Sequence, residues 1–258
     1  GSTGAPRLVE LSRRAVLASA AASAQNLGWE PNDVWLLCLP LAHTGGLSIV
    51  TRTLLARRSL RLFEPGAGGL TARLPELFAA LQQSTLVSLV PSVLTALLDA
   101  GHRAPARLRA VLLGGAACTP ALAARAHAAR WPLLTSYGLT ETASQVVTRR
   151  YAERFDPLPE QSGVVSSGHA LPGVELTLRG EQLAVRSPSL FTRYVGSESP
   201  VDAEGWLVTS DLGELGPQGE LFVRGRSDDF IISGGENVDP LEVEAALLQL
   251  PGVSAACV

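Results

Sequence analysis

Gly225–Pro240 reads GRSDDFIISGGENVDP, a stretch whose charges and glycines fit neither a plain strand nor a plain helix. Upstream of it, Gly219-Glu220-Leu221-Phe222-Val223-Arg224 has the pattern of a strand. Downstream a helix start is written out, with Asp239 as N-cap, Pro240 at the first helical position and Glu242 at the third. Arg226, Asp228, Asp229 and the pair Gly234-Gly235 lie between, an arrangement suited to a pivoting connection that faces a ligand. By itself the stretch fits equally a charged turn ahead of a surface helix, so the rest of the chain has to decide.

A chain of 258 residues can bury a large core. Hydrophobic residues make up 46% against 17% charged, and 21 Lys+Arg against 24 Asp+Glu leave a formal charge of -3. That balance argues against disorder and against nucleic acid as a partner. Cys38, Cys118 and Cys257 are far apart and free of CxxC spacing, which points to reduced thiols, a cytoplasmic setting and no structural zinc. No apolar run reaches transmembrane length, so no membrane insertion is expected. The alanine-rich segment Ala15–Ala24 follows two arginines as a secretion signal does, but Ser12 can cap it and Gly28 can end it, so it reads as a helix. The chain has no methionine and opens inside a glycine-rich motif, the expectation for a fragment; Val253–Val258 reads as a strand with nothing after it to pair with.

Strand-like and helical stretches alternate through the first part, as in a layered α/β domain. Strands are expected over Val34–Leu39, Ser59–Phe63, Leu86–Val90, Leu108–Leu113 and Leu133–Tyr137, with helices over Gly46–Ala56, Leu70–Gln82, Ser92–Ala100 and Pro120–Ala129. Ligands in such folds gather where loops leave the carboxyl ends of strands. From about Gly173 the chain turns to short strands among glycine and proline turns: Val174–Leu178, Gln182–Arg186, Trp206–Thr209 and Glu220–Val223. The expected division is an α/β core over 1–172, a β-rich subdomain over 173–225, and a hinge with the start of a further domain over 226–258.

Several loops carry groups with chemistry. Gly1-Ser2-Thr3-Gly4-Ala5-Pro6-Arg7 can wrap an oxyanion with backbone N–H groups and hydroxyls while Arg7 neutralises charge, although the Walker A spacing is absent. In Tyr137-Gly138-Leu139-Thr140-Glu141-Thr142, Tyr137 can stack on a base, Thr140 can donate to a phosphoryl oxygen and Glu141 can hold a hard cation such as Mg²⁺. The same residues also fit a core aromatic beside a solvated cap. His43, in Pro40–Gly46, has no visible Asp or Ser partner, so it lines a pocket more readily than it acts as a base. Gly114-Gly115-Ala116-Ala117 allows close backbone approach, and Asp211, in Thr209-Ser210-Asp211, can accept from a ribose diol.

The ordered series GSTGAPR, PLAHTGG, GGAA, YGLTET, LPGVE, WLVTSDLG and GRSDDFIISGGENVDPLEVE resembles the adenylate-forming superfamily, and the similarity covers essentially the whole chain. The resemblance implies an α/β fold: a layered adenylate-forming large domain, incomplete at its N-terminus, with a β-rich subdomain, followed by a truncated α+β C-terminal lid domain. It implies that Ser2, Thr3 and Gly4 grip the ATP phosphates, that Gly115, Ala116 and Tyr137 meet the nucleotide, and that Asp211 and Arg226 bind the ribose. Thr140 would touch phosphate, Glu141 would hold Mg²⁺, Arg7 and His43 would join them in catalysis, and Asp228 would be the hinge. The acyl pocket would draw on His43, Ser92, Gly114, Ser144 and Gln145.

The implied cofactors are ATP, Mg²⁺ and coenzyme A, with a small carboxylic acid as substrate; a homo-oligomer stays open, because composition locates no interface. Three features depart from the family pattern. Arg7 stands where the glycine-rich loop usually has lysine, and Ser210 replaces the usual glycine before Asp211. The family's activating lysine lies further into the lid than this sequence reaches. The wording of PLAHTGGLSIV, YGLTETASQV and FIISGGENVDPLEVE is most similar to the o-succinylbenzoate:CoA ligase branch of menaquinone biosynthesis, and much of it is shared with aryl-acid and medium-chain acyl-CoA synthetases. An adenylation domain serving a carrier protein, or a nucleotide-binding module without turnover, would carry the same motifs.

Overall fold

Strands that are apolar at every position have to be covered on both faces, and the first part of the chain supplies helices for that purpose. The structure, a computed structural model, describes residues 7–229, 231–233, 236–238, 240–248, 250, 252, 253, 256 and 258. β1 (Val9–Glu10) leads into α1 (Arg13–Leu27), where the Ser12 side chain accepts from the Ala15 N–H (3.1 Å) and Gly28 closes the helix at φ 60°. There follow β2 (Val34–Leu37), α2 (Thr44–Ala56), β3 (Ser59–Leu62) and a 3₁₀ turn (Leu70–Arg73) running into α3 (Leu74–Gln82). Next come β4 (Leu86–Leu89), α4 (Pro91–Asp99), β5 (Ala110–Leu113), α5 (Pro120–Ala128) and β6 (Leu133–Leu139).

Alternation along each strand sorts the core into two layers. Leu36, Val87, Leu89, Val111 and Leu113 face α3, α4 and α5, packing on Leu77, Leu81, Leu94, Leu97 and Ala126. Trp35, Leu37, Leu86, Ala110 and Leu112 face the other way, onto Leu27 of α1 and Ile49 of α2. At the amino ends of these strands Asp33 is the common anchor. It accepts from Arg109 Nε (2.7 Å) and the Thr85 hydroxyl (2.8 Å), while Arg109 also caps α1 through the carbonyls of Leu27 and Gly28. Burial alone would raise the Asp33 carboxyl, but the bonds from Arg109, the Glu30 N–H and Thr85 outweigh it and hold the group below its ordinary value.

Beyond β6 the sheet turns antiparallel. β7 (Ser144–Thr148), the small pair β8 (Glu160–Gln161) and β9 (Val164–Val165), and β10 (Gly168–Ala170) precede the hairpin of β11 (Glu175–Arg179) and β12 (Gln182–Arg186). β13 (Arg193–Tyr194) pairs with β1, and β14 (Leu207–Leu215) pairs with β15 (Glu220–Arg226). Among the described residues eleven strands form one sheet in the order β11-β12-β14-β15-β10-β7-β6-β5-β4-β2-β3. Val146, Val147, Leu183, Val185 and Leu221 form the core of its antiparallel half. β16 (Ile231–Ser233) and β17 (Glu236–Val238) make a separate hairpin ahead of α6 (Pro240–Leu248).

Three expectations are corrected by this arrangement. The joint contains strand pairing: Ile231, Ile232 and Ser233 pair antiparallel with Val238, Asn237 and Glu236. The strand expected at Trp206–Thr209 runs on to Leu215, so Asp211 lies inside it and not at its end. Val253, Ala256 and Val258, expected in a strand, are not in one. Asp239, Gly234, Gly235 and Cys257 lie outside the described residues, as do Ser2, Thr3 and Gly4.

Candidate functional site

Tyr137 leaves the carboxyl end of β6 and its hydroxyl donates to Asp211 Oδ2 at 2.5 Å. Asp211 sits on β14, four places away in the sheet order, so the antiparallel half curls back over β6 to bring the two together. Arg226, opposite Asp211 in the β14–β15 register, donates to its Oδ1 (3.3 Å) and holds Asp228 through both Nε (2.8 Å) and Nη2 (2.9 Å). Burial, then the Asp211 charge, pushes the Tyr137 phenol far up, so it stays a donor. Asp211 is raised by burial in spite of Tyr137 and Arg226, with the charges of Asp228 and Glu141 adding to the rise. Asp228 is lowered, chiefly by its bonds from Arg226.

Glu141 forms the second part of the site. It lies in a 3₁₀ turn (Thr140–Thr142) directly after β6, and its Oε1 accepts from the Tyr194 hydroxyl at 2.8 Å. Arg7 stacks its guanidinium 4.1 Å above the Tyr194 ring. Burial and then Glu141 push the Tyr194 phenol up to about 12, so it too remains protonated at neutral pH. Among the described residues no three His, Cys, Asp or Glu side chains gather as a metal cage. A lone carboxylate fits a hard cation that takes one or two protein oxygens and completes its shell with phosphate and water, as Mg²⁺ does.

The backbone after Glu141 is strained. Ala143 (φ 53°) and Ser144 (φ 96°) both take positive φ without being glycine, and such residues persist only where surroundings over-determine them. Thr142, fully buried, supplies that constraint: its hydroxyl accepts from the Leu139 N–H (2.8 Å) and donates to the Ser144 carbonyl (2.6 Å). The Ser19 hydroxyl of α1 holds the Ala143 carbonyl (2.9 Å). Gly138 is required here, since a Cβ would fall 2.2 Å from the Ser144 carbonyl oxygen.

This strained turn presents Ser144 and Gln145 to Arg52 of α2, which donates to Gln145 Oε1 (3.1 Å) and Ser144 Oγ (3.3 Å). Arg52 is only 3% exposed, its Nε has no hydrogen-bond partner among the described residues, and burial pulls its pKa down to about 10, so it remains a cation at neutral pH. A dry cation with neutral partners favours an anionic ligand. A groove of about 330 Å³ between α1 and α2, walled by Leu17, Ala21, Trp29 and Leu55, also reaches Arg52, but from the helix side and away from Glu141 and Asp211.

Other expected residues are less engaged. His43 is exposed at the N-cap of α2 and its side chain makes no capping bond. Ser92 is exposed in the first turn of α4, and Thr140 is exposed beside Glu141. Gly114, half-buried, lies against the Ser136 hydroxyl at the end of β5, followed by the exposed Gly115 and Ala116. Arg52, Thr142 and Tyr194 escape a reading of the sequence. Arg52 is one of several arginines in TRTLLARR, and its partner is 93 residues away; Tyr194 is 53 residues from Glu141.

The family model described as AMP-binding enzyme matches residues 1–195. The chain is 34% identical over 274 residues to a 2-succinylbenzoate–CoA ligase of Staphylococcus epidermidis, covering 100% of this chain and 54% of the relative. It is likewise 34% identical over 277 residues to the Bacillus subtilis 2-succinylbenzoate–CoA ligase, covering 99% and 53%. Among solved structures, o-succinylbenzoate CoA synthetase (MenE) from Bacillus subtilis with the acyl-adenylate OSB-AMP superposes with a TM-score of 0.86 at 32% identity, over 100% of this chain and 54% of that one. The same Bacillus subtilis enzyme with ATP and magnesium ion gives 0.84 at 31% identity, over 99% and 54%. The chain therefore spans about half the length of the curated relatives it matches.

Proposed function

The chain belongs to the AMP-binding enzyme family, and from that premise we propose that it is the adenylating core of an ATP-dependent ligase joining o-succinylbenzoate to coenzyme A in menaquinone biosynthesis. The observation that carries the reading is the cluster of Arg7, Tyr194, Glu141, Tyr137, Asp211 and Arg226 around the carboxyl end of β6. It combines an aromatic face, a carboxylate for a diol, fixed cations and an oxygen ligand, which are the groups a nucleoside triphosphate needs. The relatives named 2-succinylbenzoate–CoA ligase support the acid and the acceptor.

In the proposed reaction a carboxylate oxygen of the acid attacks the α-phosphorus of ATP, the bond to pyrophosphate breaks, and acyl-AMP forms. The CoA thiolate then attacks the acyl carbonyl carbon and AMP leaves with the bonding pair. Tyr137 would support adenine on its ring, and Asp211 with Arg226 would take the ribose hydroxyls. Arg7, with Ser2, Thr3, Gly4 and Thr140, would offset charge on the phosphoryl oxygens, where preorganised donors act most strongly. Glu141 would hold Mg²⁺, which when bound neutralises phosphate charge. Asp228, tied to the ribose-binding Arg226, would be the pivot of the lid that starts at residue 226. We place the activity in the cytoplasm, where ATP and CoA are supplied; among the described residues no helix is long and apolar enough to cross a membrane.

Arg52 argues for a dicarboxylic acid. It stands beside Ser144 and Gln145 on the strand that follows Glu141, so a carboxylate remote from the reacting one would meet its charge by displacing the bonds to Ser144 and Gln145, while the reacting one meets ATP. Aryl and medium-chain monocarboxylic acids would leave it unpaired. With the intact enzyme, o-succinylbenzoate is expected to stimulate ATP–pyrophosphate exchange well above benzoate or medium-chain acids, with CoA accepting the acyl group and a phosphopantetheinylated carrier protein failing to. Exchange that responds to no acid overturns the ligase, and exchange that prefers monocarboxylic acids overturns the substrate.

A further inference from the structure

Residues 191–195 join two parts of the site that lie far apart in sequence. Along one edge, β13 pairs with β1, placing Tyr194 opposite Val9 and Arg193 opposite Glu10. The Thr192 N–H donates to the Glu10 carbonyl (2.9 Å) and the Val195 N–H to the Leu8 carbonyl (2.9 Å). This is the chain that continues directly from the glycine-rich segment, and from it Arg7 reaches over the Tyr194 ring. Along the other edge, the Phe191 N–H donates to the Glu141 carbonyl (2.7 Å) and the Tyr194 hydroxyl to the Glu141 carboxylate (2.8 Å). Phe191, buried, meets the Tyr194 ring edge-on at 4.9 Å and fixes its plane.

A carboxylate has about four lone-pair directions and a soft terminal torsion, so without an outer partner it rotates among many orientations. Mg²⁺ tolerates little departure from octahedral geometry. A phenol on one oxygen removes that freedom and leaves the second oxygen to the ion. We propose that Tyr194 is a positioning residue whose hydroxyl orients Glu141 for the metal–triphosphate while its ring anchors Arg7, so one side chain sets both the metal-facing carboxylate and the phosphate-facing cation. The inference rests on the reading of Glu141 as the Mg²⁺ ligand.

Tyr194→Phe keeps the ring, the Arg7 stack and the Phe191 contact, and removes only the hydroxyl. The test is Mn²⁺ binding to the intact enzyme with a non-hydrolysable ATP analogue, read by electron paramagnetic resonance for wild type, Tyr194→Phe, Glu141→Gln and the double variant. Outer-shell partners of metal ligands are commonly worth 10–100-fold, so Tyr194→Phe is expected to weaken Mn²⁺ binding about 10-fold. The Mg²⁺ concentration for half-maximal rate should rise in proportion, with kcat restored by excess Mg²⁺. In the Glu141→Gln background the tyrosine change should add nothing. Unchanged Mn²⁺ binding in Tyr194→Phe, with Glu141→Gln impaired, overturns the positioning role and leaves the metal reading standing. Unchanged binding in Glu141→Gln removes the metal reading itself. Equal losses from Tyr194→Phe in both backgrounds show that the tyrosine acts on the fold and not through Glu141, which also overturns the proposal.

Discussion

Replacing Arg52 by methionine is expected to leave the protein's stability nearly unchanged while removing the partner for the second carboxylate of the proposed substrate. The cation is 3% exposed, and burial leaves its pKa at about 10, roughly two and a half pH units below an ordinary guanidinium. At about 1.4 kcal/mol per pH unit, burial therefore costs the charged form on the order of 3 kcal/mol at neutral pH. Against this stand the bonds to Gln145 and Ser144, each worth about 1 kcal/mol net. Methionine is flexible enough to fill the vacated space but leaves the buried Gln145 Oε1 without a donor, at about 1–3 kcal/mol, so the balance is close to zero, read by urea denaturation as a midpoint that barely moves at unchanged slope. Losing one partner of a buried charge pair costs at least about 2 kcal/mol, so KM for o-succinylbenzoate should rise about 30-fold or more while exchange with benzoate is unaffected. A variant destabilised by more than about 2 kcal/mol, or one whose KM stays within about threefold, would refute the reasoning.

Two further substitutions probe the scaffold. Asp33→Ala strands the Arg109 charge at the foot of the sheet and is expected to cost about 3–5 kcal/mol in chemical denaturation. Because the folded Asp33 carboxyl lies below its ordinary 3.8, its contribution is present above that pH and disappears as pH falls through the folded value. The gap between wild type and Asp33→Asn should therefore close on acidification, and a gap that widens would contradict the assignment. Thr142→Val keeps the shape of a fully buried side chain but orphans the Leu139 N–H and the Ser144 carbonyl, at about 1–3 kcal/mol each. Denaturation should show a loss of about 2–6 kcal/mol, and a loss below about 1 kcal/mol would mean that the strained turn is held by something else.

The parallel half of the sheet was legible because its strands are short apolar runs bounded by clear helix signals. Ser12 and Gly28 close α1, and Thr119 with Pro120 opens α5. β7 escaped because it begins at Ser144, whose positive φ no sequence pattern announces, and β10 is only 3 residues long, too short to show alternation. Asp211 reads as a strand-end residue because the apolar run Trp206–Thr209 stops just before Ser210-Asp211, whereas β14 carries on through Gly213 with a register shift at Leu212/Gly213. Tyr137, Glu141 and Asp211 could be singled out because each stands in a recognisable motif. Arg52 and Tyr194 owe their importance to contacts made across the fold, and one more arginine on a helix or one more tyrosine on a short strand carries no local mark of that.

The backward curl of the sheet gives the contact between Tyr137 and Asp211 a mechanical character. Laid flat, four strand spacings would separate Tyr137 from Asp211 by about 19 Å, yet their side chains meet at 2.5 Å. The contact is thus set by the curvature of the intervening strands β7, β10 and β15. β10, 3 residues long, is the shortest of the three. A substitution in β10 that changed this curvature would shift Tyr137 relative to Asp211 without touching either residue.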